Sequence, residues 1–355
     1  MPCRWLLAVL VFGGLLVASI AKGEEERLKD WLLDLELRPL DEQFQAKEDA
    51  KLFELFLKAF GRDYASDPQE HARRLEIFSD NLRHIRRRNA ETLGFKLGIN
   101  QYADMTLEES MPTALPSIET FVESLPLTPN NLYRPAPAEW DWREQNAVTK
   151  VGYQGSCNSC WSFAAAAVAE TAHYLKTKNL TKLSEQQIVD CASAKEYPGT
   201  WGCVNGQPEN GILYIRDHGA QSFDSYPYAG VQGECKYNPQ AIVTKVEQLI
   251  KVPKKNETAL KEAVYYGVVA VGVTRGSQDW RFYRGGIFTG ACDGTPNHVV
   301  ALVGYGKENG QAFWIIKNSE GPTWGEKGFM RLLRQEKGTG PGTCGVALTP
   351  FGAIP

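Results

Sequence analysis

Of the eight cysteines in this 355-residue chain, seven lie between residues 157 and 344 and only Cys3 lies before them. What they do depends on the compartment, and the N-terminus speaks to that. Arg4 precedes the apolar run WLLAVLVFGGLLVASI, which closes on Ser19-Ile20-Ala21. A positive start, a short apolar core and a small-x-small exit predict a secretory signal peptide over residues 1–21. The run is shorter than the roughly 20 apolar residues of a comfortable membrane span. A signal anchor is the alternative, but no stable membrane insertion is expected. In an oxidising compartment most of the remaining seven cysteines pair, and an odd count leaves one thiol over. Asn179-Leu-Thr181 and Asn256-Glu-Thr258 match the glycosylation acceptor pattern, which supports secretion weakly.

The net charge is −3, with 43% hydrophobic and 23% charged residues. These are values of a soluble globular chain without the basic footprint of a nucleic-acid binder. Residues 22–134 carry no cysteine, and acidic residues outnumber basic ones there. They read as helices, the longest from about Asp67 to Arg88, where Leu75, Phe78, Leu82 and Ile85 recur at helical spacing. Pro112, Pro116, Pro126, Pro129, Pro135 and Pro137 then mark an extended linker. From Pro135 on, helices are expected at Cys160 and after Ser184, the latter with a capping box to Gln187. Strand-like runs follow, VVAVGVT, HVVALVGYG and FWIIKN. Helices followed by strands predict an α+β fold with segregated halves.

The stretch QGSCNSCWSF admits four readings. Zinc needs a second close Cys or His pair, and none exists, so no metal is expected. A redox pair would follow a strand in a βαβ unit, but the strands cluster far downstream. Two half-cystines conflict with the odd count without being eliminated by it. The fourth reading places Cys160 at a helix N-terminus, where free N–H groups favour a thiolate. A base is then required. His173 sits late in the same helix, and His218 falls in a surface turn. His298 opens a buried strand, and Asn318, ending the next, can orient its imidazole. Cys160, His298 and Asn318 then form a nucleophilic triad.

The chain resembles the papain-like cysteine proteases, specifically cathepsin L-like proenzymes, over nearly all of its length after the signal. The likeness rests on DWREQNAV, QGSCNSCW, LSEQQIVDC, GCVNG, YRGGIF, HVVALVGYG and KNSEGPTWGEKG. Upstream, Glu70, Arg74, Phe78, Asn81, Ile85 and Asn89 reproduce the E-R-F-N-I-N helix signature of such propeptides. Gly98, Asn100, Tyr102 and Asp104 follow the G-N-F-D pattern, with Tyr in place of Phe.

The resemblance implies a papain-like two-domain fold, a helical half and a barrel-like half with the cleft between. A helical inhibitory propeptide (22–134) precedes the mature peptidase (135–355). It implies a zymogen whose Cys160 is the nucleophile and His298 the acid/base, with Asn318 orienting His298. Gln154 and the Cys160 N–H would bind the oxyanion. It pairs Cys157–Cys203, Cys191–Cys235 and Cys292–Cys344. Gly206 would let the substrate backbone approach, and Gln207, Pro208, Gly272, Val299 and Thr349 would receive the second residue before the cut, a medium-sized apolar one. Protein or peptide substrates, the chain's own propeptide and cystatin-like inhibitors are the implied partners of a monomer without cofactor, in the lysosome or outside the cell. The proline-rich segment would lie along the cleft in the non-productive direction and block it, and acid would loosen the propeptide.

Three positions depart from the family: Asn158 and Asn205 replace glycines, and Glu320 replaces the tryptophan that usually covers the Asn–His hydrogen bond. These changes motivate the alternative of a catalytically impaired papain-fold protein acting in binding or regulation.

Overall fold

The computed structural model describes residues 22–35, 42–110, 135–292, 295–336 and 338–355. The expected signal peptide and the linker at 111–134, including its expected path along the cleft, lie outside them. The chain opens with helices α1 (Lys22–Asp34), α2 (Glu42–Phe60) and α3 (Pro68–Ala90), followed by β1 (Phe95–Leu97) and the short α4 (Leu107–Ser110). Asp67 stops the extended chain and starts α3, accepting the N–H groups of Gln69 and Glu70 ahead of Pro68.

The signature residues of α3 have separate physical tasks. Phe78 and Ile85 are fully buried and pack in one core with Phe53 and Phe56 of α2. Asn81 donates to the carbonyls of Ala103 and Met105 at 2.9 and 3.0 Å. Asn89 holds β1 by exchanging hydrogen bonds with the backbone of Leu97. Glu70 pairs with Arg73 and Arg74 on the helix surface.

Beyond the linker come β2 (Trp140–Asp141), then α5 (Cys160–Thr177), α6 (Glu185–Cys191) and α7 (Pro208–His218). The strand β3 (Ala220–Gln221) pairs with β4 (Ile242–Thr244). Next are β5 (Gln248–Lys251), α8 (Glu257–Tyr266), β6 (Val269–Val273), α9 (Gln278–Arg281) and β7 (Tyr283–Phe288). The chain ends with β8 (His298–Glu308), β9 (Gln311–Lys317), β10 (Phe329–Leu333) and β11 (Phe351–Ile354). The main sheet runs β1-β7-β10-β9-β8-β6-β11-β5, with β2 on β8. Its strand β1, from the N-terminal region, pairs antiparallel with β7, Phe95 opposite Gly286.

The alanine-rich α5 is buried on nearly all sides and packs against α7 and β8. Its small side chains permit that closeness: a Cβ on Gly211 of α7 would lie 2.6 Å from the Ala165 methyl. Ser184 caps α6, accepting the Gln187 N–H at 2.9 Å. The other half of the expected capping box does not form. The Gln187 side chain instead bonds Tyr214, the Gly219 carbonyl and the Gln221 N–H, since burial gives its amide better-placed partners than the helix end.

Candidate active site

Cys160 begins α5, buried, and is the free cysteine among the described residues; disulfides join Cys157–Cys203, Cys191–Cys235 and Cys292–Cys344. The first disulfide anchors the loop leading into α5, so the Cys157-x-x-Cys160 pair divides into one bridged and one free sulfur. As the first residue of α5, Cys160 has a backbone N–H without an intrahelical partner. The backbone N–H groups of Val299 and Trp161 both favour its thiolate form.

Val299 follows His298, so the strand carrying the imidazole also acts on the thiol. Register fixes the ring: Val273 of β6 pairs with His298, and Gly272 with Val299. His298 is fully buried, its Nε2 2.8 Å from Asn318 Oδ1. That oxygen also accepts the Ser319 N–H at 2.9 Å, which identifies it as the amide oxygen. Nε2 therefore carries a proton and donates it, leaving Nδ1 as the acceptor nitrogen of the neutral ring. Nδ1 is buried without a hydrogen-bond partner.

Gln154 arrives on the preceding loop. Its Nε2 donates to the Cys157 carbonyl at 2.9 Å, and its Oε1 accepts the Ser319 hydroxyl at 2.5 Å. Its backbone N–H meets the Ser319 carbonyl at 2.8 Å. Adjacent residues thus hold two arms of the site, Asn318 the imidazole and Ser319 the glutamine. Nothing in the sequence distinguished Ser319 for that task.

Burial controls the protonation of the covered site. It pushes the Cys160 thiol above its ordinary 9.0, helped by the Glu320 charge; the Arg275 cation and the two N–H groups act the other way. Burial also holds His298 well below 6.5, reinforced by Arg275 and opposed by the Asn318 hydrogen bond. Burial thus disfavours the charged form of both thiol and imidazole.

The nominated pocket residues fall into two groups. Gly272, Val299 and Thr349 meet on the sheet, where the Gly272 N–H donates to Thr349 Oγ1 at 3.1 Å. Gly206, Gln207 and Pro208 lead into α7, against α5: a Cβ on Gly206 would lie 2.3 Å from the Trp161 ring, so glycine is required for contact. Asn158 bridges two loops, donating to the Val204 carbonyl at 3.0 Å. Its Oδ1, Asn205 Oδ1 and Gln207 Oε1 are buried acceptors without partners. The two asparagines therefore repolarise this wall.

Glu320 does not turn toward solvent. It is 4% exposed, forms an antiparallel bridge with Tyr153, and binds Arg275 through Oε1 and the Tyr102 hydroxyl through Oε2. Gln101 Nε2 donates to its carbonyl at 2.7 Å. Of the two other histidines weighed, His173 is buried mid-structure and His218 bonds Glu196 at 2.8 Å. Asn179 is exposed, whereas the Asn256 side chain caps α8. Among the described residues no helix is long and apolar enough to cross a membrane, and no His, Cys, Asp or Glu cluster could hold a metal.

A buried free cysteine at a helix start and an imidazole held by an amide, with a helical N-terminal domain docked on the same sheet and on Glu320, define a thiol hydrolase kept as a precursor. The chain belongs to the papain family of cysteine proteases: the model described as papain family cysteine protease matches residues 136–354. The cathepsin propeptide inhibitor domain (I29) matches residues 53–110. Papaya proteinase 4 from Carica papaya is 36% identical over 307 residues, covering 83% of this chain and 84% of its own. Pro-cathepsin H from Bos taurus is 36% identical over 312 residues, covering 85% and 89%. The crystal structure of the ragweed pollen cysteine protease Amb a 11 in its proform superposes with a TM-score of 0.79 at 34% identity, covering 90% of this chain and 99% of that one. The protein is thus a papain-like cysteine peptidase made as a zymogen, acting on peptides and inhibited by its own propeptide domain. These relatives lend no support to the non-catalytic alternative.

Proposed function

We propose that Cys160 is the nucleophile, His298 its acid/base partner, Asn318 the residue that orients His298, and Gln154 the oxyanion donor. The unpartnered buried Nδ1 of His298, on the strand whose next N–H favours the Cys160 thiolate, carries this reading. Nδ1 takes the Cys160 proton, and the thiolate attacks the scissile carbonyl carbon. The oxyanion accepts hydrogen bonds from Gln154 Nε2 and the Cys160 N–H as the tetrahedral intermediate forms. The Nδ1–H then protonates the departing amine. Water, deprotonated by His298, cleaves the thioester and returns the thiolate.

The mature enzyme begins near residue 135, after the signal (1–21) and propeptide (22–134), and works as a monomer open to cystatin-like inhibitors. It acts in the secretory pathway, in a lysosome-type compartment or outside the cell; its disulfides suit an oxidising route. Gly272, Val299 and Thr349, with Gln207 and Pro208 opposite and Gly206 giving the substrate backbone room, receive an apolar side chain before the cut. Asn179 is the better-exposed glycan acceptor of the two.

The test is incubation of purified precursor at mildly acid pH beside Cys160→Ala, following mass and hydrolysis of a fluorogenic peptide. Processing with activity in wild type alone is expected. Removal of the propeptide with no hydrolysis by either form would overturn these roles.

A further inference from the structure

Glu320 and Arg275 form a buried pair beside the reacting residues, and its geometry is built rather than incidental. The Arg275 N–H donates to Asn297 Oδ1 at 2.8 Å, and Asn297 Nδ2 returns a bond to the Arg275 carbonyl at 2.7 Å. Asn297 precedes His298, so the arginine backbone is locked to the imidazole strand. Glu320 is two residues past Asn318 and bridged to Tyr153, the neighbour of Gln154. The pair therefore lies on the imidazole side of Cys160. The leaving amine must receive its proton from His298, so this is the side on which the residues after the cut lie.

The precursor shows what the site accepts. One Glu320 oxygen takes the guanidinium and the other takes the Tyr102 phenol. Burial, and then the Glu320 charge, raise the phenol well above its ordinary 10.0, so it stays a proton donor. The surrounding cleft is lined by the rings of Trp280 and Trp324, aromatic surface that suits a ring, and by the Arg281 cation, which bonds Asn81, Met105 and Ser110 of the propeptide. When the propeptide leaves, Glu320 Oε2 loses its donor while Arg275 stays. A cationic side chain would then meet Arg275 and Arg281, and an anionic one would meet the Glu320 carboxylate. A neutral aromatic ring with a hydroxyl meets neither penalty and restores the lost hydrogen bond.

We propose that Glu320 and Arg275, with the aromatic wall beside them, form a subsite selecting tyrosine at one of the two positions after the scissile bond. This rests on the protease reading of Cys160 and His298. Glu320 is the specificity-determining acceptor, Arg275 holds it, and Tyr102 occupies the subsite until activation.

The experiment uses the mature enzyme, titrated with a thiol-directed inhibitor, and quenched-fluorescence peptides differing only in Tyr or Phe at the first or second position after the cut. At one position kcat/KM should favour Tyr by about 10–100-fold, the discrimination of one hydrogen bond to a charged acceptor. In Glu320→Gln that ratio should collapse toward about 1. Independently of that variant's folding, a peptide of residues 98–107 should inhibit wild type about tenfold better with Tyr102 than with Phe there. Equal Tyr and Phe rates in a fully titrated enzyme, or a Tyr preference that persists in folded Glu320→Gln, overturn the subsite alone. If no peptide is cut and Cys160 does not titrate, the protease reading falls, and the subsite with it.

Discussion

Tyr102 of the propeptide domain donates its phenolic hydrogen bond to Glu320 of the peptidase domain, 218 residues away in sequence. Each is a departure from the family pattern, Tyr for Phe and Glu for Trp, and the two departures meet. Their contact is a hydroxyl–carboxylate bond, anchored by Arg275 on the far oxygen. Burying Glu320 this way is tolerable because both oxygens are paired.

Tyr102→Phe should leave a buried Glu320 oxygen without its donor and weaken propeptide docking by about 1–3 kcal/mol. Thermal unfolding of the Cys160→Ala precursor, which cannot process itself, measures this directly. An unchanged melting temperature would show that the bond contributes nothing net.

Asp279 should make precursor stability pH-dependent. Although burial opposes ionisation of its carboxyl, hydrogen bonds and charge from His84 and Arg88 prevail and hold it below its ordinary 3.8. Arg88 meets it at 2.7 Å and His84 at 2.8 Å. A depressed pKa means the contribution is present above the unfolded value and is lost as pH falls through the folded one. The stability difference between Asp279 and Asp279→Asn in the Cys160→Ala precursor should persist at about pH 5 and vanish in stronger acid. Glu109, held at about 2 by Arg73 and Arg74 against the effect of burial, follows the same sign. Mild acid alone therefore leaves these two contacts standing, so acid loosening of the propeptide needs other groups. A difference lost already at about pH 5 would contradict the assignment.

Thiol reactivity should separate precursor from mature enzyme. In the precursor burial raises the Cys160 thiol above its ordinary range and disfavours the thiolate. Alkylation with iodoacetamide should be slow at neutral pH and rise only in alkali. Uncovering the cleft hydrates both groups, and reactivity should then extend into mild acid. Equal rates for the two forms at neutral pH would show that the propeptide does not control the ionisation.

Ser319→Ala should free the Gln154 amide from its 2.5 Å anchor. The expected loss is in kcat with KM little changed, and smaller than the roughly 10²–10³-fold loss from Gln154→Ala, which removes an oxyanion donor outright. Adding Ser319→Ala to Gln154→Ala should cost little more, since the two act as one unit. Additive losses would assign Ser319 a separate role.

Much of this was legible along the chain. Helical spacing at Leu75, Phe78, Leu82 and Ile85 located α3, from about Asp67 to Arg88 in the sequence and Pro68–Ala90 in the structure. The run HVVALVGYG became β8, and an odd cysteine count among signal-led residues pointed to one free thiol. Ser184 was read correctly as a cap, but the Gln187 half of that reading failed because its amide serves three partners remote in sequence. Glu320, a carboxylate that local sequence alone would let face solvent, is buried because its partner Tyr102 lies on another domain.

The sequence by itself determined the identities that chemistry needs: a thiol at a helix start, an imidazole opening a strand, an amide closing the next. It also determined the family, because local spacing and ordered motifs survive in one dimension. Tertiary structure alone decided which nitrogen of His298 is free, that Ser319 steers Gln154, and that Tyr102, Glu320 and Arg275 share one buried bond network. Those outcomes depend on groups brought together across hundreds of residues, where burial sets both hydrogen-bond partners and charge states, and no local pattern records that.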